Sequence, residues 1–159
     1  MTTLGHQLVG ELRNAASLHG TLRVGVSPAA EADVVAAEQV GVVLSELRLE
    51  VDGLPQTPSA VARWAAEIQR RVGYLLEPLA LLETDAETAE ALIRSQPPQQ
   101  NGTERRYYEM RLASTGTASL RRFSGVQGAS PRERLDLQLT HEVLARLVDD
   151  VVEAAAAVE

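Results

Sequence analysis

Apolar and polar residues alternate along several short segments of this chain, and that alternation is the feature that most restricts its fold. In ELRLEVDG, residues 46–53, Leu47, Leu49 and Val51 fall on one side of an extended chain and the charged residues on the other. A strand of this kind buries one face and exposes the other, as in an antiparallel sheet. Similar alternation recurs in residues 21–26, 104–113, 117–123 and 134–139.

Three other segments place apolar residues three or four positions apart, which is the spacing of an amphipathic helix. The first of them is residues 4–19. Thr57 and Thr140 each precede one of the other two, and we predict that they cap those helices, with Pro58 in the first helical position. Trp64, the only tryptophan, lies in an apolar stripe and is therefore predicted to be in the core.

Four segments give weaker signals. Residues 27–44 combine a Ser-Pro pair that can open a helix with a strand-like VGVVL run, so helix and strand both fit. Residues 74–85 predict a strand. Residues 86–95 fit a short helix or a strand, and we favour a strand because segment 104–113 needs an antiparallel partner nearby. Residues 95–104 are rich in turn formers and predict a polar loop.

Together these elements predict an α+β fold. Consecutive strands joined by short turns indicate an antiparallel sheet of about five strands, with two to three helices packed on one face. A chain of 159 residues is long enough for one domain, and a chain of that size buries roughly two-thirds of its unfolded surface. We therefore expect residues 1–159 to form a single globular domain.

The composition excludes several classes of function. The chain has no cysteine, which rules out disulfides, thiolate nucleophiles and sulfur-ligated metals. Its net charge of −7 disfavours a nucleic-acid platform, and the GxxG pattern at 125–128 follows a strand instead of joining two helices, so we interpret it as a loop. The sequence lacks a secretory signal and a membrane-spanning run, so we expect a cytoplasmic protein with no membrane partner.

Patterns typical of catalysis and of metal binding are weak. His6, His19 and His141 are too dispersed along the chain for a local triad or metal site. The acidic run at 149–153 resembles a site for a hard cation, but Arg146 lies one turn before it and is expected to pair with both aspartates. We therefore predict no cofactor, no metal and no catalytic residues.

Residues 104–123 hold five arginines and three of the five aromatic residues of the chain. We predict a hairpin whose loop is residues 114–116, STG, because a glycine takes the left-handed position of a three-residue loop without strain. That register places Met110 opposite Leu120. A two-residue loop would instead place Arg121 opposite Met110 and lose the apolar face.

One face of this hairpin is predicted to lie in the core, and the other carries Arg105, Tyr107, Glu109, Arg111, Arg121 and Phe123. The simplest interpretation of the second face is a solvated surface, where aromatic pairs stabilise the hairpin. Alternatively, tyrosine and arginine are enriched in protein-binding hot spots, and exposed rings beside arginine can stack bases. The net charge disfavours the nucleic-acid alternative. The candidate partner-binding residues are Arg105, Tyr107, Arg111, Arg121 and Phe123.

Two hypotheses about function follow from these observations. We favour a non-catalytic protein-interaction or chaperone-like module that forms a homo-oligomer or binds another protein. The alternative is a small-ligand-binding protein, or an enzyme with dispersed polar residues, whose cavity lies between the sheet and the helices.

Overall fold

A computed structural model describes residues 2–14, 19–75, 78–96, 99–126 and 131–158 of the chain. Its described part contains three helices and a large antiparallel sheet of ten strands, so the α+β class predicted from the sequence is confirmed. The predicted size of about five strands is wrong. One additional strand, Gln99–Asn101, has only three residues and is too short for alternation to reveal, and the single strand predicted over 134–139 is two strands.

The helices are α1 (Leu4–Asn14), α2 (Pro58–Arg71) and α3 (His141–Ala156). The predicted caps are confirmed: the hydroxyl oxygens of Thr57 and Thr140 accept hydrogen bonds from the main-chain N–H groups of Ala60 and Val143, both at 3.1 Å. The predicted continuation of α1 over residues 15–18 lies outside the described part of the chain.

The strands are β1 (Gly20–Gly25), β2 (Ala29–Ala37), β3 (Gly41–Glu50), β4 (Leu79–Asp85), β5 (Glu90–Ser95), β6 (Gln99–Asn101), β7 (Glu104–Ala113), β8 (Thr117–Val126), β9 (Glu133–Leu135) and β10 (Leu137–Thr140). Seven of them lie side by side in the order β1-β2-β3-β8-β7-β5-β4, and every neighbouring pair is antiparallel. The short strands extend these ladders, since β6 pairs with β7, β9 with β8 and β10 with β3.

Two central strands separate along their length. β3 and β8 pair only over 47–50 and 117–120. Beyond that point β8 pairs with β9 and β3 pairs with β10, so these two short strands occupy the gap between β3 and β8. The strand predicted over 134–139 is therefore two strands, which separate at Asp136. Alternation did not reveal the break because the leucines keep the same spacing on both sides of it.

The weaker sequence signals are resolved as follows. Residues 27–44 contain β2 and the first four residues of β3, so the helical alternative is wrong, and β5 confirms the strand favoured over 86–95. β4 begins at Leu79, later than the predicted 74. The predicted loop over 95–104 contains β6, which ends in the expected Asn101-Gly102 turn, although residues 97–98 lie outside the description. The expected loop at 125–128 begins in β8, and its remainder also lies outside the described residues.

One face of the sheet meets all three helices in a continuous core. Trp64 is completely buried, as predicted, and its indole N–H donates to the carbonyl oxygen of Val151 at 3.1 Å. The other face, which we call the open face, faces away from the helices, because successive side chains of a strand point to opposite sides. One row of paired residues crosses the open face from β1 to β7: Arg23, Glu31, Arg48, Ser119 and Arg111.

The hairpin of β7 and β8 has the predicted register. Met110 lies opposite Leu120, and Tyr107 lies opposite Phe123. Gly116 ends the three-residue loop with a φ of +90°, in the conformation that the sequence predicts for it. This hairpin brings its arginines to the centre of the open face, next to β3.

Gly116 provides a test of this geometry. A Cβ at Gly116 would lie 2.6 Å from the main-chain oxygen of Val51, whereas Gly53, with a φ of +70°, has no heavy atom within 4 Å of its Cβ position. We expect Gly53→Ala to lower the free energy of unfolding by about 1 kcal/mol, from backbone strain alone. We expect Gly116→Ala to lower it by a further ~1–3 kcal/mol because of the overlap. Urea denaturation of both variants measures the difference, and equal losses would contradict the close approach.

Candidate functional site

The open face is organised around two buried glutamates, and the first is Glu46 on β3. Its side chain is only 8% exposed and contacts three guanidinium groups. Arg121 on β8 donates from Nε at 2.9 Å, Arg134 on β9 lies at 3.3 Å and Arg48 on β3 lies at 3.1 Å. Glu46 therefore joins three strands at the place where β3 and β8 separate.

The second buried glutamate, Glu109 on β7, has a side chain that is 2% exposed. Its Oε2 accepts from Arg132 at 2.5 Å, and the guanidinium Nη2 atoms of Arg94 on β5 and Arg111 on β7 lie 3.7 Å and 3.5 Å from its oxygens. Arg132 comes from the segment just before β9. Glu109 thus connects that segment and β5 to the hairpin.

The aromatic rings of the hairpin lie beneath arginine side chains. Tyr107 and Phe123 contact each other with ring centres 5.9 Å apart. The guanidinium of Arg94 lies 4.8 Å from the Tyr107 ring centre, and that of Arg132 lies 3.7 Å from the Phe123 ring centre. Phe123 is only 5% exposed, so the expectation that both rings are exposed is wrong for this residue. The covering arginines hold the rings by cation–π contact.

Cations exceed carboxylates in the half of the open face formed by β5, β7, β8 and β9. We call the following five residues the arginine patch: Arg94, Arg111, Arg121, Arg132 and Arg134. Among the described residues, the carboxylates in ion-pair contact with the patch are Glu46 and Glu109, so the patch carries about three positive charges in excess. This surplus lies on a protein whose net charge is −7.

The β1–β3 half of the open face is closer to neutral. Arg23 lies 3.0 Å from Glu31 and 2.9 Å from Glu50, and Arg48 lies 2.8 Å from Glu31 and from Asp33. Here each guanidinium meets at least two carboxylates. The hydrogen bonds from Arg48, followed by one from the Thr21 hydroxyl, lower the pKa of the Asp33 carboxyl to about 2.

A cavity of about 340 Å³ lies on the open face between these two halves. It exists because a group of small side chains is surrounded by long charged ones. The small residues are Ala29, Ala113, Thr117 and Ser119, and the long ones include Arg23, Glu50, Glu90 and Arg111. Its size is near the lower end of the range for small-ligand sites.

The five candidate residues named from the sequence have different positions. Arg111 and Arg121 belong to the arginine patch, and Tyr107 and Phe123 lie beneath it. Arg105 lies further along β7, between β6 and β8, where it is opposite Gly125 of β8.

Sequence reasoning missed the remaining patch members, Arg94, Arg132 and Arg134. It also missed that Glu46 joins β3, β8 and β9. Arg94 was assigned to a strand but not to this face, because its pairing with Glu109 depends on which strand lies beside β7. Arg132 and Arg134 reach the patch only because β9 inserts beside β8. Long-range pairing of this kind leaves no local sequence signal.

The histidines do not converge. His6 lies on α1 with its Nδ1 2.8 Å from the Thr3 hydroxyl, and His141 is buried where α1 and α3 meet, with Nδ1 accepting from Arg13 at 3.3 Å. Burial, and secondarily Arg13, lowers the pKa of His141 and favours its neutral form. In the described part of the chain, no group of three or more histidine, aspartate or glutamate side chains is arranged to hold a metal ion.

The acidic run of α3 serves structural contacts. Asp149 accepts a hydrogen bond from the main-chain N–H of Gly5, at the start of α1, at 2.9 Å. Asp150 accepts from the Tyr74 hydroxyl at 2.5 Å, and burial together with this contact raises the pKa of Tyr74. Arg146 lies 3.9 Å from Asp150, whereas Asp149 bonds to α1, so the predicted pairing is seen for one aspartate.

Comparisons with models of protein families, with curated proteins and with solved structures find no match to this chain. No helix in the described ranges has both the length and the apolar character needed to cross a membrane. What the protein does is therefore inferred from the chemistry of the open face.

The role of Glu109 can be tested by stability measurements. Glu109→Gln keeps the size of the side chain but removes the charge that three guanidinium groups share. We expect it to lower the free energy of unfolding by about 2–3 kcal/mol, below the usual cost of breaking a buried pair because Arg111 remains largely hydrated. Glu104→Gln is the matched control on the same strand, and its more exposed carboxylate should matter little. Indistinguishable urea curves for the two variants would refute the structural role.

The lowered pKa of Asp33 predicts that this residue contributes to the free energy of unfolding in a pH-dependent way. Its carboxyl titrates near 3.8 in the unfolded chain and near 2 in the folded protein, so its contribution is fully present above pH 4–5 and is lost as the pH falls from about 4 to about 2. Asp33→Asn should therefore be less stable than wild type at pH 6, and the gap should narrow toward pH 2. Chemical denaturation at several pH values measures that gap, and a gap independent of pH would disprove the assignment.

Proposed function

We propose that this protein is a non-catalytic protein-interaction module that binds a partner polypeptide through the open face of its sheet. The observation that carries the proposal is the arginine patch, in which buried glutamates and aromatic rings hold the long arginine side chains in place. Arginines fixed in this way lose less conformational entropy on binding than free ones do. The protein is thus prepared to present cationic hydrogen-bond donors to a partner.

Two further features support an interaction role. Arginine and tyrosine are enriched among the residues that dominate binding energy at protein interfaces. A catalytic role has less support: on the open face the Thr21 hydroxyl donates to Asp33 at 2.8 Å, but Arg48 lowers the pKa of that carboxyl to about 2, which makes it a weak general base. The partner is a second copy of the chain or another protein, and we place the interaction in the cytoplasm.

The cavity of about 340 Å³ favours a second candidate function, the binding of a small ligand. It lies on the open face, whereas the sequence placed a ligand cavity between the sheet and the helices. Its mixed walls of arginine and glutamate would suit a compact zwitterionic molecule.

Ser119→Tyr tests the proposed interface. Ser119 lies on the open face between Arg48 and Arg111, so a tyrosine there would obstruct the surface without entering the core. Ala66→Tyr, at an exposed position on α2, is the matched control. Native mass spectrometry of protein purified gently from its own host should show a complex with a polypeptide for wild type and Ala66→Tyr, and a loss of that complex for Ser119→Tyr.

Other results would decide against the interface. A wild-type protein that remains a bare monomer at high concentration would refute the proposal, and so would a complex that survives Ser119→Tyr. A small non-protein adduct that disappears in Ser119→Tyr would instead favour the ligand-binding candidate.

A further inference from the structure

We infer that the partner segment that meets the arginine patch is an acidic, extended stretch of polypeptide with carboxylates at alternate positions. This inference rests on the proposed function and specifies the chemistry of its partner. The first support is charge complementarity. The patch has about three uncompensated positive charges, and the carboxylates that partly neutralise it are buried beneath it.

The exposed fractions show which groups a partner would meet. The side chains of Arg111, Arg134 and Arg121 are 60%, 46% and 39% exposed, whereas those of Glu46 and Glu109 are 8% and 2% exposed. An approaching chain therefore contacts guanidinium groups and not carboxylates. Carboxylates of the partner can accept paired hydrogen bonds from these groups.

The three exposed arginines form a diagonal across adjacent strands. Arg111 on β7 lies opposite Ser119 of β8, Arg121 is two residues further along β8, and Arg134 on β9 lies opposite Phe123, two residues further again. With strands about 4.8 Å apart and a rise of about 3.3 Å per residue, successive members are roughly 8 Å apart at their Cβ positions.

This spacing matches an extended peptide. Side chains two residues apart in a strand lie on the same side about 6.7 Å apart, and the long arginine side chains absorb the remaining difference. Arg121 and Arg134 already donate to the same oxygen of Glu46, so one incoming carboxylate can contact both. A second carboxylate two residues away then reaches Arg111.

Nucleic acid fits the patch less well. Stacking on aromatic side chains supplies much of the binding energy for single strands, yet Phe123 is 5% exposed and lies beneath Arg132. The net charge of −7 also repels a long polyanion, which extends beyond the patch. A short acidic segment contacts only the patch.

Three capped synthetic peptides test the inference: Gly-Glu-Thr-Glu-Thr-Glu-Gly and its analogues with glutamine or lysine in place of glutamate. We expect saturable binding of the glutamate peptide alone, with chemical-shift changes at the Nε–H groups of Arg111, Arg121 and Arg134. Binding should weaken as salt is raised. A single-stranded oligonucleotide of the same charge is the competing probe.

Matched variants identify the site. Arg111→Gln with Arg121→Gln should weaken the glutamate peptide about tenfold or more at low salt, whereas Arg63→Gln on α2 removes a positive charge away from the sheet and should change affinity less than about twofold. The double variant Arg111→Lys, Arg121→Lys keeps both charges, and its affinity for the glutamate peptide should lie between these two results. Binding that is retained by this variant shows that the patch tolerates substitution without loss of folding.

Several outcomes would overturn the inference. These are equal binding of the glutamine peptide, tighter binding of the oligonucleotide at the same arginines, or equal weakening by Arg63→Gln. If a natural complex is lost in Ser119→Tyr but persists in the Arg111→Gln, Arg121→Gln variant, the interface stands and the acidic partner is wrong. If the peptide binds as expected but no polypeptide complex forms, the acidic specificity stands and the proposed function is wrong.

Discussion

The sheet depends on two buried carboxylates that hold its strands together where the central pair, β3 and β8, separates. β3 and β8 share hydrogen bonds over only four residues before they separate, and Glu46 bridges the separated region by holding arginines from β8 and β9. Glu109 holds the segment before β9, through Arg132, against the backbone-paired strands β5 and β7. Because each carboxylate is shared by several guanidinium groups, the joint that closes the sheet also leaves an excess of positive charge on its surface. The contacts that hold the strands together and the positive charge of the arginine patch therefore have one origin.

The local features of the fold could be predicted from sequence. Both threonine caps, the buried Trp64 and the register of the β7–β8 hairpin follow from interactions between residues close in the chain. Helix periodicity, capping and a three-residue loop with glycine each have one low-energy solution. For the same reason Arg111 and Arg121 were assigned correctly to one face of the hairpin.

The features that sequence did not reveal depend on distant pairing. β9 and β10 are separated by a single residue, Asp136, yet they join different strands, and no local pattern distinguishes that arrangement from one continuous strand. Phe123 looks exposed in a hairpin alone and becomes buried only when the segment before β9 crosses it. The patch is thus larger and its rings less accessible than the hairpin alone indicates.

The order of elements along the chain has a consequence for how the protein reaches this structure during synthesis. β10 pairs with β3, and α3 packs against α1. Elements near the beginning of the described chain therefore complete their packing only after elements near its end have been synthesised. A ribosome adds about 5–20 residues per second, so the apolar sides of β2, β3 and α1 stay without their final cover for several seconds after they emerge. The nascent chain therefore presents the kind of surface that general chaperones bind.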